Sequence, residues 1–315
     1  MTRTSSALAF PHPHPPTLRQ LRTALYAWFD EAGRNLPMRR DDVTPWGTLV
    51  FEVMSQQTPI PRVQPIWLRW MELWPTPADL AEAPRASVLV EWDCLGYPSR
   101  ALRLQDCAQA IASRPGGEVP AHYDDLLALP GIGPYTASAL ASFQFYQRLP
   151  VLDTNIRRVL TRIFGGRAYA PSGAPTRKEV TFAHALLPRT GKDCARWNLT
   201  LMEFGALACT QRSPACETCP VRSLCAWAEN GFPASDTPVR TQAWVGTDRQ
   251  ARGRVIGLLR QLHRQGKAPF ISYAQALEAA SLPGAPADQA ARVMKDLLRD
   301  GLISVDSSGK VSLPQ

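Results

Sequence analysis

Leu18, Leu21, Leu25 and Phe29 recur at three- and four-residue intervals, which is one helix face, so a helix is predicted over residues 17–33. Residues 35–42 read as a loop. Thr44 then offers an N-cap and Pro45 a first helical position, and the helix they open carries Trp46, Leu49, Val50, Phe51, Glu52, Val53 and Met54 into Ser55-Gln56-Gln57-Thr58-Pro59. Apolar spacing predicts further helices over 66–74, 78–83, 85–91 and 99–112, set apart by Pro75, Pro77, Pro84 and the turn Leu95-Gly96-Tyr97-Pro98. Residues 124–128 lead into Leu129-Pro130-Gly131-Ile132-Gly133, after which Pro134 opens an Ala-rich helix. Ile156, Val159, Leu160 and Ile163 mark another, and two more are predicted over 177–187 and 194–208. No segment before Cys225 alternates with period two, so this part is all-α.

A different pattern closes the chain. Val255, Leu258, Leu259 and Leu262 form one helix face, residues 273–280 and 288–299 read as two more helices, and residues 302–305 and 310–313 flank Asp306-Ser307-Ser308-Gly309 as a hairpin. Three helices and a hairpin give a winged-helix-like order. Arg292, Lys295 and Arg299 lie on its third helix, where such modules touch nucleic acid. The opposing reading, that the module only binds protein or packs on its neighbour, carries equal weight.

Composition narrows the class. The chain has 315 residues, 45% of them hydrophobic, enough for two or three domains with sizeable cores. Its formal charge of +8 suits a polyanionic partner, although charge alone also fits a soluble basic protein. No apolar run approaches the ~18 residues of a membrane span. The short apolar patch Ala7-Leu8-Ala9-Phe10 is broken by Pro11, Pro13, Pro15 and Pro16. Residues 1–16 are therefore expected to be a disordered tail, not a signal peptide, and the location cytoplasmic.

Several residues stand out chemically. Glu52 sits among apolar neighbours, so it is either a rim residue paired with an Arg or a poorly solvated acid able to donate a proton near neutrality. The two glycines of 129–133 suggest a positive-φ turn whose bare N–H groups, at a helix N-terminus, suit an anion. Asp153 and Asn155 can each cap the next helix; an acid delivered just past a phosphate-type turn also fits chemistry on a nucleic acid. Gln56, Gln57 and Thr58 could read base edges or simply form a polar helix end. Tyr97 could stack between bases or pack in its loop. Seven cysteines in a chain of this length argue against a secreted disulfide framework. Four form Cys209-x6-Cys216-x2-Cys219-x5-Cys225, which could hold zinc or an iron–sulfur cluster. A single x2 gap and ligands confined to 17 residues suit the compact cluster loop better than paired zinc knuckles. Cys94, Cys107 and Cys194 fall outside that pattern.

Together these motifs resemble the helix-hairpin-helix base-excision glycosylases with a C-terminal [4Fe–4S] loop, the endonuclease III and adenine glycosylase (MutY) group. Residues 129–137 match the hairpin, Val151-Leu-Asp-Thr-Asn155 the catalytic-Asp loop, and the four cysteines the cluster spacing, over residues 17–227. Two features separate members. A catalytic Lys of the lyase type would fall at Tyr135, so the resemblance implies a monofunctional enzyme. Glu52-Val-Met-Ser-Gln-Gln-Thr58 and Leu95-Gly-Tyr97 match the adenine glycosylases.

The resemblance implies an all-α two-domain fold: a cluster domain of 17–42 plus 149–230, a six-helix barrel domain of 43–148 with the hairpin, a linker at 231–247 and the module at 248–315. It implies removal of adenine mispaired with 8-oxoguanine or guanine from double-stranded DNA by a monomer holding a [4Fe–4S] cluster on Cys209, Cys216, Cys219 and Cys225. Glu52 would be the acid and Asp153 the cation-stabilising carboxylate, with Tyr135 and Asn155 orienting them. Gln56, Gln57, Thr58 and Tyr97 would meet the bases, and Gly131 and Gly133 a phosphate. A mismatch thymine or uracil glycosylase, or a non-catalytic iron–sulfur DNA-binding protein, are the alternatives. The chain departs from the group at Ser55, where Leu is usual, and at Met38, where Trp is usual. The 8-oxoguanine-reading Phe-Ser-His loop is absent, and residues 245–315 are too few for the Nudix-like domain that carries it.

Overall fold

A computed structural model describes residues 15–234, 244–266 and 268–315. Most of the expected tail, and residues 235–243 of the expected linker, lie outside them. In chain order the helices are α1 (Pro15–Ala32), α2 (Pro45–Ser55), α3 (Ile60–Leu73), α4 (Pro77–Glu82), α5 (Arg85–Trp92), α6 (Ser99–Ala112), α7 (Tyr123–Leu127), α8 (Pro134–Phe143), α9 (Thr154–Gly165), α10 (Arg177–Ala185), α11 (Gly191–Leu207) and α12 (Ala226–Glu229). The last part runs α13 (Asp248–Arg264), β1 (Phe270–Ser272), α14 (Tyr273–Ala280), α15 (Gln289–Arg299), β2 (Ser304–Val305) and β3 (Lys310–Ser312). No strand precedes Phe270 among the described residues.

Three helix starts move by two residues or more from their expected places. α1 starts at Pro15, which a first helical turn tolerates because its missing N–H has no intrahelical partner there. α3 starts at Ile60, six residues before the expected start at 66: Pro61 lies in the first turn, and Pro65 forfeits one backbone bond without ending the helix. α11 starts at Gly191, capped by the Thr190 hydroxyl accepting from the Asp193 N–H.

The chain divides into two compact units. The first comprises Met1–Asp41, Ala121–Leu127 and Gly133–Val239; the second comprises Asp42–Pro120, Ala128–Ile132 and Arg240–Gln315. Residues 121–127 and 133–148, expected with the barrel, thus belong with the cluster-loop unit, and the C-terminal module belongs with the second unit. The reason for the first shift is packing: Ala139 of α8 is buried in the same core as Leu21, Leu25, Val151, Ile156, Trp197 and Phe204, and Phe143 packs against it.

In the first unit α11 packs on α1, α8 and α9. Glu203 of α11 is fully buried and binds two guanidiniums, Arg34 at 2.5 Å and Arg39 at 2.6 Å. Removing the arginines would be costly, because Glu203 would be left as an uncompensated buried charge. Met38, in the short turn Pro37–Arg39, is buried.

The second unit is built on tryptophans. Trp46, Trp67, Trp70 and Trp92 are buried, and each indole N–H reaches a backbone carbonyl, of Trp74, Gly47, Glu91 and Gly96 respectively, at 2.8–3.1 Å. Burying an indole removes ~200 Å² from water, worth ~5 kcal/mol before entropy. The satisfied N–H groups also fix α2, α3, α5 and the 93–97 loop against one another.

The C-terminal module has the order helix, strand, helix, helix, strand, strand. Its antiparallel sheet runs β1-β3-β2, with Ile271 opposite Val311 and Val305 opposite Val311. The expected hairpin is present, and β1, too short to show alternation, adds a third strand. This is a winged-helix topology.

Candidate active site and cluster loop

The hairpin between α7 and α8 is formed as the sequence suggests, with one correction. Gly131 has φ +75°, and a Cβ there would stand 3.2 Å from the Arg103 Cβ, so both the conformation and the space favour glycine. Gly133 is different: at φ −99°, ψ 175° it is extended and caps α8, and nothing lies within 4 Å of where its Cβ would be. Its value is the open surface at a helix N-terminus, not a special backbone angle.

Asp153 does what an N-cap does. Its Oδ1 accepts from the Ile156 N–H at 2.6 Å and thereby starts α9. It also has a second set of bonds. Asn155 Nδ2 donates to Asp153 Oδ2 at 2.8 Å, and Asn155 Oδ1 accepts from Arg158 Nη2 at 2.8 Å. Arg158 in turn donates to the Gly205 carbonyl at 2.5 Å and, through Nε, to the Cys209 carbonyl at 2.9 Å. Burial pushes the Asp153 carboxyl above the usual carboxylate range; the bonds from Ile156 and Asn155 and the Arg158 charge pull the other way. A carboxylate that is both buried and orientated costs the fold something, which marks functional sites more often than caps. Tyr135, on α8, is half-buried against the same core.

Glu52 lies in the second unit. It is buried on α2 at 5% exposure, with Val50, Val53 and Met54 buried around it in sequence. At that exposure Glu52 does not face solvent as a rim residue would. Ser55 donates back to the Glu52 carbonyl at 3.2 Å.

The turn after α2 and the 93–97 loop are tied together. Gln57 is exposed at φ +55°, Tyr97 is exposed at φ +47°, and Asp93 has φ +44°. Non-glycine residues in this region are uncommon and hold only where the surroundings over-determine them. Thr58, in contrast, is buried, and its hydroxyl donates to the Leu95 carbonyl at 3.1 Å, so it is a tie between the loops and not a surface contact. Arg100, which no pattern of residue types singles out, supplies most of the tie. Its Nη1 reaches the carbonyls of Val53 at 2.9 Å and Gln56 at 2.7 Å, its Nη2 those of Leu95 and Gly96 at 3.1 Å. Its guanidinium stands 5.2 Å from the Trp92 ring centroid and 5.7 Å from that of Tyr97. Burial lowers it to about 10.

The four cysteines of the loop are partly exposed free thiols, whereas Cys107 and Cys194 are buried and Cys94 is exposed. Cys219 is pushed up to about 11, first by burial and then by the other three loop cysteines. All four are therefore close enough to feel one another's charge. No three His, Cys, Asp or Glu side chains among the described residues are arranged around a single metal ion. An iron–sulfur cube takes one thiolate at each of four irons, so its ligands surround a volume and need not meet at a point. Arg162, 1% exposed, donates to Cys209 Sγ at 3.2 Å and to the Thr210 carbonyl at 2.7 Å. A thiolate at Cys209 would gain from that cation, and the donor set fits such a cluster.

A helix, a glycine hairpin and a second helix, followed by an acidic N-cap, is the arrangement that the resemblance to base-excision glycosylases implies. In agreement, residues 50–183 match the family model of the HhH-GPD superfamily base excision DNA repair proteins. An adenine DNA glycosylase of Mycolicibacterium smegmatis is 45% identical over 289 residues, 92% of this chain and 94% of that protein. The adenine DNA glycosylase of Mycobacterium tuberculosis strain H37Rv is 44% identical over 93% of each chain. A thermostable thymine-DNA glycosylase superposes with a TM-score of 0.63 at 27% identity, covering 68% of this chain and 98% of that one. The chain belongs to the adenine DNA glycosylase family.

Proposed function

We propose that this protein hydrolyses the N-glycosidic bond of adenine mispaired with 8-oxoguanine or guanine in double-stranded DNA, acting as a monomeric, monofunctional enzyme. The observation that carries the reading is the buried Glu52 within Glu52-Val-Met-Ser-Gln-Gln-Thr58. Adenine is a poor anionic leaving group. Glu52 gives a proton to N7, so the base departs neutral and the sugar develops oxocarbenium character. Asp153, orientated by Asn155 and the start of α9, stabilises that cation or bonds to it transiently, as the second carboxylate does in retaining glycosidases. Glu52, now ionised, takes a proton from the attacking water. Tyr135 stands where a lyase would need an amine, so no Schiff base forms. Gln57 and Tyr97 wedge into the stack vacated by the extruded base, with Gln56 beside them, while the N–H groups at Gly131 and Gly133 hold a phosphate. Cys209, Cys216, Cys219 and Cys225 would hold a [4Fe–4S] cluster, which when bound cross-links the loop and brings redox-active iron.

The test uses duplexes with one central A:8-oxoguanine, A:G, T:G or U:G pair, followed by alkali cleavage of abasic sites. Product is expected from both A-containing duplexes, and its absence from both would overturn the assignment. The likeness to a thymine-DNA glycosylase structure supports a second reading, mismatch thymine removal, for which T:G would be the cleaved duplex.

A further inference from the structure

On the third helix of the C-terminal module, two of the three basic residues are engaged by neighbouring carboxylates, while Lys295 is exposed. Arg292 of α15 is paired with Asp248 at 3.1 Å and with Asp288, and Arg299 with Asp296 at 2.6 Å and Asp300 at 3.4 Å. The helix expected to meet DNA has these two arginines neutralised by neighbouring carboxylates. The arginines of α13 behave otherwise. Arg249, Arg260 and Arg264 are spaced by eleven and four residues, close to whole turns, so they share one stripe. All three reach residues 90–97. Arg260 donates to the Asp93 carbonyl at 2.6 Å, and Arg264 to the Val90 carbonyl and Asp93 Oδ1, both at 2.9 Å. Arg249 Nη1 donates to the Tyr97 hydroxyl at 3.0 Å, its guanidinium 5.2 Å from the Tyr97 centroid and 4.8 Å from that of Trp244.

These contacts fall on the strained positions. Asp93 and Tyr97 both hold positive φ. Such angles are strained and persist only where something outside the segment pins them. Arg100 pins the loop from one side, through the Leu95 and Gly96 carbonyls and the Tyr97 ring. The stripe on α13 pins it from the other, at Asp93 and at the tip of Tyr97. Tyr97 is 36% exposed, yet two guanidiniums lie within 5.7 Å of its ring centroid. A side chain that must enter a base stack gains from being fixed beforehand, because ordering it on binding would cost entropy.

We propose that the C-terminal module is a brace for the loop that carries Tyr97, with Arg249 as the positioning residue that sets the ring, so that the module serves base extrusion and not DNA affinity. The inference rests on the reading of Tyr97 as the wedge.

The experiment uses the full chain. Extrusion is read from the fluorescence of 2-aminopurine placed at the target adenine, base removal from the single-turnover rate on an A:8-oxoguanine duplex, and affinity from titrations at two salt concentrations. Arg249 is exposed, so its replacement leaves the fold intact. Arg249→Ala and Arg249→Gln are expected to lower the fluorescence rise and to slow the rate about ten-fold, with affinity and its salt slope unchanged. Arg249→Lys should restore part of both, since an ammonium keeps a cation over the ring. Tyr97→Ala should match Arg249→Ala, and the double variant should be no worse than either. Impairment in Tyr97→Ala with none in Arg249→Ala would overturn the brace and leave the wedge standing. Lost affinity in Arg249→Ala, with the salt slope reduced by about one, would make Arg249 a phosphate contact and overturn it equally. Unchanged fluorescence in Tyr97→Ala would remove the wedge and the brace with it.

Discussion

Asn155 links Asp153 to Arg158: its amide nitrogen donates to the Asp153 carboxylate and its amide oxygen accepts from Arg158, each at 2.8 Å. Because Arg158 also holds the Cys209 carbonyl, the orientation of the acid depends on where the cysteine loop sits. Asn155→Ala should remove one of the bonds that hold Asp153 ionised, so its carboxyl rises further. The acid limb of the single-turnover pH profile is expected to move to higher pH, with the plateau rate also reduced. An unmoved limb would show that Asn155 only shapes the helix start.

Asp153→Asn keeps an N-cap of equal quality, but should reduce activity about 10³-fold or more. It should not destabilise the protein. Asp153 is raised in the fold by burial, so the native state holds its proton more tightly than the unfolded chain. The stability this gives is complete below the unfolded value near 3.8 and is lost as pH rises through the folded one. The variant does not titrate. Its Tm is therefore expected to exceed the parent's at neutral pH and to converge with it in acid, measured by calorimetry across pH.

Glu203 has the opposite sign. Burial raises its carboxyl, but the bonds from Arg34 and Arg39 outweigh that and hold it below the usual range. Its stabilisation is present above the unfolded value near 4.5 and is lost as pH falls through the folded one. Glu203→Ala should cost ~1.5–3 kcal/mol in urea unfolding near neutrality, since two partly exposed guanidiniums lose their charge-assisted bonds. The penalty should shrink in acid. A loss below about 1 kcal/mol would place the pair among solvent-screened surface bridges.

Tyr135 implies that strand scission requires added alkali and that borohydride traps no protein–DNA adduct. A trapped adduct on denaturing gels would require an amine elsewhere in the site.

If the cysteine loop holds a [4Fe–4S] cluster, the purified protein should be brown, with a broad band near about 400 nm, and contain about four irons. Cys219→Ala should lose both and melt earlier. A colourless protein carrying one zinc would contradict the assignment.

Much of this was readable from residue order, and the failures have physical reasons. Helical periodicity and proline placement located the helices, because each buries one face on a neighbour. Where Pro65 sat inside a helix the start was misplaced, since one missing backbone bond does not end an element that packs well. Glu52, Asp153 and the cysteines stood out because unusual residue types occupied conspicuous positions. Arg100, Arg158 and Arg162 did not, since an arginine in a helix reads as a solvated face until a loop folds over it. Here Arg158 and Arg162 are buried by the cysteine loop. The positive φ of Gln57 and Tyr97 left no trace in residue type. α8 follows the hairpin in sequence yet packs into the core of the first unit, a partition that periodicity does not show.

Gly205 lies on the side of α11 that faces Asn155, and a Cβ there would come within 2.7 Å of the Asn155 Cβ. Its own carbonyl holds Arg158. Clinicians and breeders who sort inherited variants by distance from reacting atoms would file a change at this position as a scaffold defect. By its effect it would belong with lesions of the acid, even though the residue has no side chain to contribute.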